Sequence, residues 1–255
     1  MSFPTRDKDS RKGDNGRVGV IAGSSRFTGA PALCGQAAMR AGADLVKVLT
    51  SKSVRDVVAG FSKDLIVQSY SGRFLTEEDA DRLGDFAEWG DVLVAGPGLG
   101  RPDPETLRDV VDSRRCVLDA DAIHETVLEA DLSHAVLTPH RREVERLGDP
   151  ERFAAQTGAV ILLKGPTDRV FSPEGLEVEI ERGDPTMTAG GTGDVLAGVV
   201  GGLIAQGMSR VDAAEAGARA NGMAGEEAAV EYGNGALASD IVERLPGSLR
   251  NLEEM

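Results

Sequence analysis

Short apolar runs recur along this chain, separated by longer stretches in which apolar residues return every three or four positions. The short runs, rich in Val, Ile and Leu, fall at residues 18–21, 45–49, 65–67, 92–94, 116–118, 135–137 and 160–163. Most are apolar at every position, so both faces of each strand need cover, as in a parallel sheet with helices on either side. Helical periodicity marks residues 31–41, 77–88, 104–111, 122–129 and 141–147. Alternation in this order predicts an α/β fold: a three-layer α/β/α sandwich around a mostly parallel sheet.

After Lys164 the pattern changes. Two short runs flank Pro173-Glu174-Gly175 between Arg169 and Ile180, which predicts a hairpin. A C-terminal helical segment follows, with helices expected over 195–206, 211–232 and 236–244. No internal repeat and no dividing linker interrupts the chain. Residues 17–255 therefore read as one catalytic domain, and the polar residues 1–16 as a flexible tail.

The 255-residue length fits a single α/β domain of the larger kind. The longest apolar stretch, 195–205, is about half of what a bilayer requires, and the first sixteen residues have no apolar signal core, so no membrane partner is expected. Cys34 and Cys116 stand far apart among apolar neighbours, which suits reduced, buried thiols and a cytoplasmic location. His124, His134 and His140 lack the spacing of a zinc site. A net charge of −14, from 28 basic and 42 acidic residues, argues against a nucleic-acid surface. Lysine occurs only at positions 8, 12, 47, 52, 63 and 164. An acidic, lysine-poor surface is expected of a halophilic source.

The most informative stretch runs from Thr188 to Gly198 and reads Thr-Ala-Gly-Gly-Thr-Gly-Asp-Val-Leu-Ala-Gly. A glycine-rich turn here opens an apolar helix, whose first backbone N–H groups lack intrahelical partners and carry the positive end of the dipole. They form an anion site suited to a phosphate. Asp194 sits at that mouth, where a bound phosphate would repel it. Taking a proton from an attacking hydroxyl is a role that outweighs the repulsion. The plain alternative is a carboxylate complementing the helix dipole for about 0.3–1 kcal/mol.

Ligands of such sheets sit beyond the carboxyl ends of the strands. Four turns fall there: Gly23-Ser24-Ser25, Gly96-Pro97-Gly98-Leu99-Gly100, Thr138-Pro139-His140, and Lys164-Gly165-Pro166-Thr167-Asp168. The Gly96–Gly100 turn lacks the spacing of a dinucleotide fingerprint, and no segment matches the P-loop pattern. Lys164 ends an apolar strand and reads as a cation facing phosphates rather than as a solvated terminus. His140 with Glu143 marks a helix start with a proline-fixed entry, a reading compatible with a place in the site. Asp121 reads as the cap of the helix that follows. Asp119 stays open, with orientation of magnesium through water or a ligand hydroxyl as one role.

Taken together, these segments resemble the ADP/ATP-dependent NAD(P)H-hydrate dehydratase family of the ribokinase-like superfamily. The match covers Ala22-Gly23-Ser24 with Thr28-Gly29-Ala30-Pro31, Ala95 to Gly100, Leu118 to Ala122, Thr138-Pro139-His140 with Glu143 and Arg146-Leu147, Lys164-Gly165, and Gly190 to Gly198. They occur in family order across roughly residues 17–245. The resemblance implies a ribokinase-like fold and repair of NADHX and NADPHX, nicotinamide cofactors hydrated across C5–C6. The nucleotide, ADP or ATP with Mg2+, phosphorylates the ring hydroxyl and the phosphate is then eliminated.

Carried over by motif, Asp194 is the base and Gly191, Thr192 and Gly193 form the anion hole. Ala30, Gly98, His140 and Asp194 bind the hydrate. Lys164, Gly165, Pro166, Thr167, Asp168 and Gly193 bind the nucleotide. No metal ligand is assigned. Asp168 is an acid where a less charged residue is expected, which weakens the nucleotide contacts beyond Lys164. The family also implies a homo-oligomer, a tetramer in relatives, and action on the S epimer, with a separate epimerase as a partner because the chain is too short to contain one. A thiazole or hydroxymethylpyrimidine kinase of the same superfamily is the nearest rival, since it would use the same Asp194 and anion hole. A nucleotide-binding regulatory module without catalysis is the third reading, against which the intact Gly191–Asp194 run stands.

Overall fold

A computed structural model describes residue 1 and residues 3–255. Nine strands form one sheet: β1 (Arg17–Ile21), β2 (Leu45–Ser51), β3 (Ile66–Tyr70), β4 (Val92–Ala95), β5 (Cys116–Leu118), β6 (Ala135–Leu137), β7 (Val160–Leu163), β8 (Asp168–Phe171) and β9 (Glu177–Ile180). Their spatial order is β3-β2-β1-β4-β5-β6-β7-β8-β9. The first seven run parallel, and β8 and β9 close the edge as the expected antiparallel hairpin. The helices are α1 (Ala30–Arg40), α2 (Arg55–Phe61), α3 (Ala80–Trp89), α4 (Pro104–Val111), α5 (Pro150–Thr157), α6 (Thr192–Ala205), α7 (Arg210–Tyr232) and α8 (Ala238–Glu253).

Alternate strand residues sort cleanly into two cores. Val18, Val20, Val46, Val48, Val92, Val94, Val117, Val136 and Val160 pack with α1, α6, α7 and α8. Their neighbours Ile21, Leu49, Leu93, Leu118, Leu137 and Ile161 pack on the other face with α3, α4 and α5. Period-two alternation of two apolar sets thus produces the three layers.

The helix bearing the Gly-Gly-Thr-Gly-Asp motif, α6, is buried along Val195–Ile204. Glycines let it lie unusually close to its neighbours. A methyl group built at Gly198 would stand 2.1 Å from the Cys34 carbonyl oxygen of α1, one at Gly202 would stand 2.6 Å from the Ala38 oxygen, and one at Gly201 would stand 2.4 Å from Val94 on β4.

Several elements differ from the sequence expectation. Residues 141–147 form only a 3-10 turn at Val144–Arg146: His140 Nδ1 accepts the N–H groups of Arg142 and Glu143 while His140 N–H donates to Glu143 Oε2, a capped start that does not extend into a full helix. Residues 122–129 are likewise two short turns, Ala120–Ala122 and Val127–Glu129. The expectation also passes over α2 and α5, although α5 carries an Asp149 cap that accepts from Arg152, a first-turn Pro150 and a left-handed Gly158 stop. Helix α8 runs well past Arg244 through Pro246, as burial of Leu245, Leu249 and Leu252 outweighs the missing donor. Among the described residues no helix is long and apolar enough to cross a membrane. Gly13 and Asn15 of the N-terminal segment donate to the Asp44 carboxylate.

Substituting Gly198→Ala should destabilise the fold by about 1–3 kcal/mol, because the added methyl has backbone in its way. Gly247→Ala, at an exposed α8 position with nothing within 4 Å of the added methyl, should stabilise by roughly 0.5–1 kcal/mol. Denaturant midpoints of the two variants check both signs.

Candidate active site

The carboxyl ends of five neighbouring strands are tied together by their own loops. Gly23 donates its N–H to Pro97 O at 2.9 Å, joining the loops after β1 and β4. Gly96, at φ +118°, passes so close to the loop after β5 that a methyl there would lie 1.7 Å from Asp119 O. Beyond β6, Thr138 Oγ1 donates to Asp119 Oδ1 at 2.8 Å. Beyond β7, Lys164 N donates to Pro139 O, and Lys164 Nζ meets Asp119 Oδ1 at 2.5 Å. Asp119, left open by the sequence, is therefore a buried hub that accepts from two neighbouring strand ends.

Asp121 corrects an expectation. It lies inside the Ala120–Ala122 turn rather than capping it, and its Oδ2 accepts Gly100 N–H at 2.7 Å. Ala120 between the two aspartates takes a left-handed φ of +47°. That geometry costs energy for a residue with a Cβ and holds the two carboxylates in distinct directions.

Helix α6 opens at Gly191, whose φ of +100° needs a glycine and whose added methyl would clash with Leu33 at 2.6 Å. The first donation into the helix comes from Val195 N to Gly191 O. The N–H groups of Thr192, Gly193 and Asp194 lie ahead of the ladder, as an anion site requires. Thr192 Oγ1 instead donates backward to Met187 O at 2.8 Å, fixing the turn. Lys164 stands against this helix start, with Nζ 3.3 Å from where a Gly193 Cβ would be. A cation and the positive end of a helix thus converge on one spot.

Asp194 lies in the first turn of α6. Burial first, and then repulsion from Asp119 and Asp121, raise its pKa to about 7, against the lowering pull of Lys164. Burial opposes the charge on Lys164, but Asp119 above all, joined by Glu143 and Asp194, lifts its pKa above the ordinary lysine value. Asp168 is pushed to about 6 by burial while its carboxylate accepts Gly165 N–H at 2.9 Å. The unexpected acid of that loop therefore closes its own turn. Cys34 beneath Asp194 is held protonated by burial and by the charges of Asp194 and Asp119, which leaves it unreactive.

A cavity of about 770 Å³ opens beside the helix start. His140, Lys164, Gly165, Pro166, Asp168, Thr192 and Gly193 line it, and Thr167 is the member of its run that does not. Ala30 and Gly98 meet elsewhere: a Gly98 methyl would be 3.0 Å from Ala30 Cβ and 2.5 Å from Phe27 Cβ. Asp194 is not among the residues that line this cavity, although the charges of Lys164 and Asp121 both act on it. Arg182, Asp184, Met187, Leu196 and Asn221 also line the cavity and were missed in the sequence. For Asn221 a signal existed, since it is a polar residue on the buried Ala/Gly face of α7.

Comparison with known proteins agrees with this geometry. The profile of the NAD(P)H-hydrate dehydratase family matches residues 18–247. The chain belongs to that family. It is 41% identical over 242 residues to the ADP-dependent (S)-NAD(P)H-hydrate dehydratase of Haloterrigena turkmenica, covering 93% of this chain and 94% of that protein. It is 43% identical to the protein of the same name from Natrialba magadii, covering 93% of each. A solved ribokinase-like superfamily protein from Enterococcus faecalis superposes with a TM-score of 0.85 at 25% identity, covering 99% of this chain and 93% of that one. The fold is ribokinase-like.

The raised pKa of Asp194 gives a stability signature. Folding favours its protonated form, so the benefit is full below about pH 4 and is lost as pH rises through about 7. Asp194→Asn should therefore melt above the unmodified protein at pH 8, with the gap closing toward pH 4, as thermal scans at the two pH values will read.

Proposed function

We propose that this dehydratase-family chain restores NADH and NADPH from the S epimers of their hydrates, using ADP as phosphoryl donor and releasing AMP and phosphate. The observation that carries the reading is the convergence of Lys164 and the open α6 amides at Thr192 and Gly193 on one cavity, with Asp194 the next residue of the same helix turn. Hydroxide is a poor leaving group, whereas phosphate departs readily, so phosphorylation converts a difficult dehydration into an easy elimination.

Asp194 takes the proton of the ring hydroxyl as that oxygen attacks the terminal phosphoryl group, and the bond to the departing nucleotide breaks. The Thr192–Asp194 amides and Lys164 hold the charge that develops on the transferred group. Elimination follows when the ring nitrogen pushes the phosphate from its carbon and a proton leaves the neighbouring carbon, which re-forms the C5–C6 double bond. Ala30, Gly98 and His140 border the hydrate. Lys164 to Asp168 and Gly193 hold the nucleotide.

The donor set fits magnesium carried on the nucleotide. Among the described residues no three His, Cys, Asp or Glu side chains form a cage, and Asp119 and Asp121 are already engaged by Lys164 and Gly100. Carried on the nucleotide, the ion would supply positive charge to the phosphates, with Asp119 and Asp121 as the carboxylates that would attract it.

Residues 17–255 act as the catalytic unit of a homo-oligomer, and the cytoplasmic part of the reading is supported by two free, buried thiols. The acidic, lysine-poor composition supports work at high ionic strength. A distinct epimerase would deliver the S epimer, because a chiral pocket accepts one configuration at the hydroxyl carbon.

Incubation with hydrated NADH and ADP should restore the near-ultraviolet absorbance of the reduced ring with release of one phosphate per turnover. A stable phosphorylated product without that absorbance would instead mark a small-molecule kinase. Asp194→Asn should bind nucleotide normally and lose turnover by about 10²–10⁴-fold, measured by single-turnover kinetics. In the unmodified enzyme kcat should rise with pH through about 7, as Asp194 becomes able to accept a proton.

A further inference from the structure

Asn221 is 5% exposed, and its Oδ1 is buried with no hydrogen-bond partner. Among the described residues that line the 770 Å³ cavity, it alone leaves a buried side-chain oxygen unpaired in this way. The neighbouring polar groups are occupied: Arg182 pairs with Glu226, and Asp184 accepts Thr186 N–H. Elsewhere on its buried face α7 presents Ala and Gly, including Ala218, Ala220, Gly222, Ala224 and Gly225. A buried amide without a partner is costly to a fold, and a ligand that supplies the partner explains its presence.

The surroundings of this amide form a slot. A methyl at Gly222 would stand 2.6 Å from Arg182 Cβ, and one at Gly225 would stand 2.2 Å from Met187 Sδ. These two glycines let the segment between β9 and α6 press onto α7, with Glu226 accepting Gly183 N–H to hold it there. Met187, Leu196, Pro166 and Pro185 supply apolar lining. Lys164 and Gly193, at the proposed phosphate site, line the same cavity. A lining of that mixed character suits a ligand with both charged and flat aromatic parts.

We infer that the Asn221 side-chain amide reads the nucleobase of the phosphoryl donor and selects adenine by pairing with its 6-amino group and an adjacent ring nitrogen. An amide offers an acceptor beside a donor, and an adenine edge offers the complement. This assignment rests on the nucleotide-dependent reading above and adds to it the residue that sets base preference.

The test compares ADP with purine riboside 5′-diphosphate, which is ADP without the 6-amino group, by isothermal titration calorimetry. The unmodified protein should bind ADP about tenfold or more tightly, since the analogue leaves the buried oxygen unpaired. Asn221→Ala should bring the two affinities within about threefold of each other, chiefly by weakening ADP, with an unchanged thermal midpoint. Equal affinities in the unmodified protein overturn the inference without any variant, and do so while turnover of hydrated NADH with ADP still upholds the dehydratase reading. Equal weakening of both ligands by Asn221→Ala assigns the residue a structural role and also overturns it. Failure of the unmodified protein to bind ADP would overturn both readings together.

Discussion

The approach of α6 to α1 and to the centre of the sheet is the constraint from which the site follows. Hydrogen bonds do not set that distance; missing side chains do. Gly198 and Gly202 bring the helix against the backbone of α1, and Gly201 brings it onto β4. Because the helix is buried for ten consecutive residues, Val195–Ile204, neither tilt nor slide is free, and interiors at this density transmit any displacement directly. The open amides at its start are thereby fixed relative to the strand ends that carry Asp119 and Lys164.

On that frame the electrostatics follow simply. One ammonium, Lys164, feels the carboxylates of Asp119, Glu143 and Asp194, and it lies in direct contact with Asp119. Asp119 thus receives its compensation at close range, and at Asp194 burial and the repulsion of Asp119 and Asp121 outweigh the pull of Lys164. Its proton affinity near neutrality is the result. An aspartate with that affinity carries less repulsive charge toward a neighbouring phosphate than an ordinary aspartate would, which is consistent with the role proposed for Asp194.

The sheet and its site were legible to different depths. Strands were readable because both faces are buried, so runs such as Val160–Leu163 carry no polar interruption. The Asp194 motif was readable because glycine, threonine and aspartate in that order have few other uses at a helix start. Residues 141–147 were read as a full helix because periodicity shows the capped start at His140 but not the early stop, at left-handed Gly148 one residue before the Asp149 cap of α5. Asp121 was misread because its partner, the Gly100 amide, lies 21 residues away and comes near only when β4 and β5 pair. Arg182, Met187 and Asn221 were passed over for a similar reason, since the loop and helix that bring them together are joined by glycines whose purpose is spatial.

The sorting of strand residues into two separate apolar sets bears on how such a protein changes over generations. Valines on one side press against the helix that carries Asp194, while leucines and isoleucines on the other pack with α3, α4, α5 and with turn residues such as Leu99 and Ala122. A swap of Leu to Met against α3, α4 or α5, away from the turns of Leu99 and Ala122, is absorbed by elements on the face of the sheet opposite α6. The sheet acts as a bulkhead, and mutational drift can accumulate behind it at little expense to chemistry.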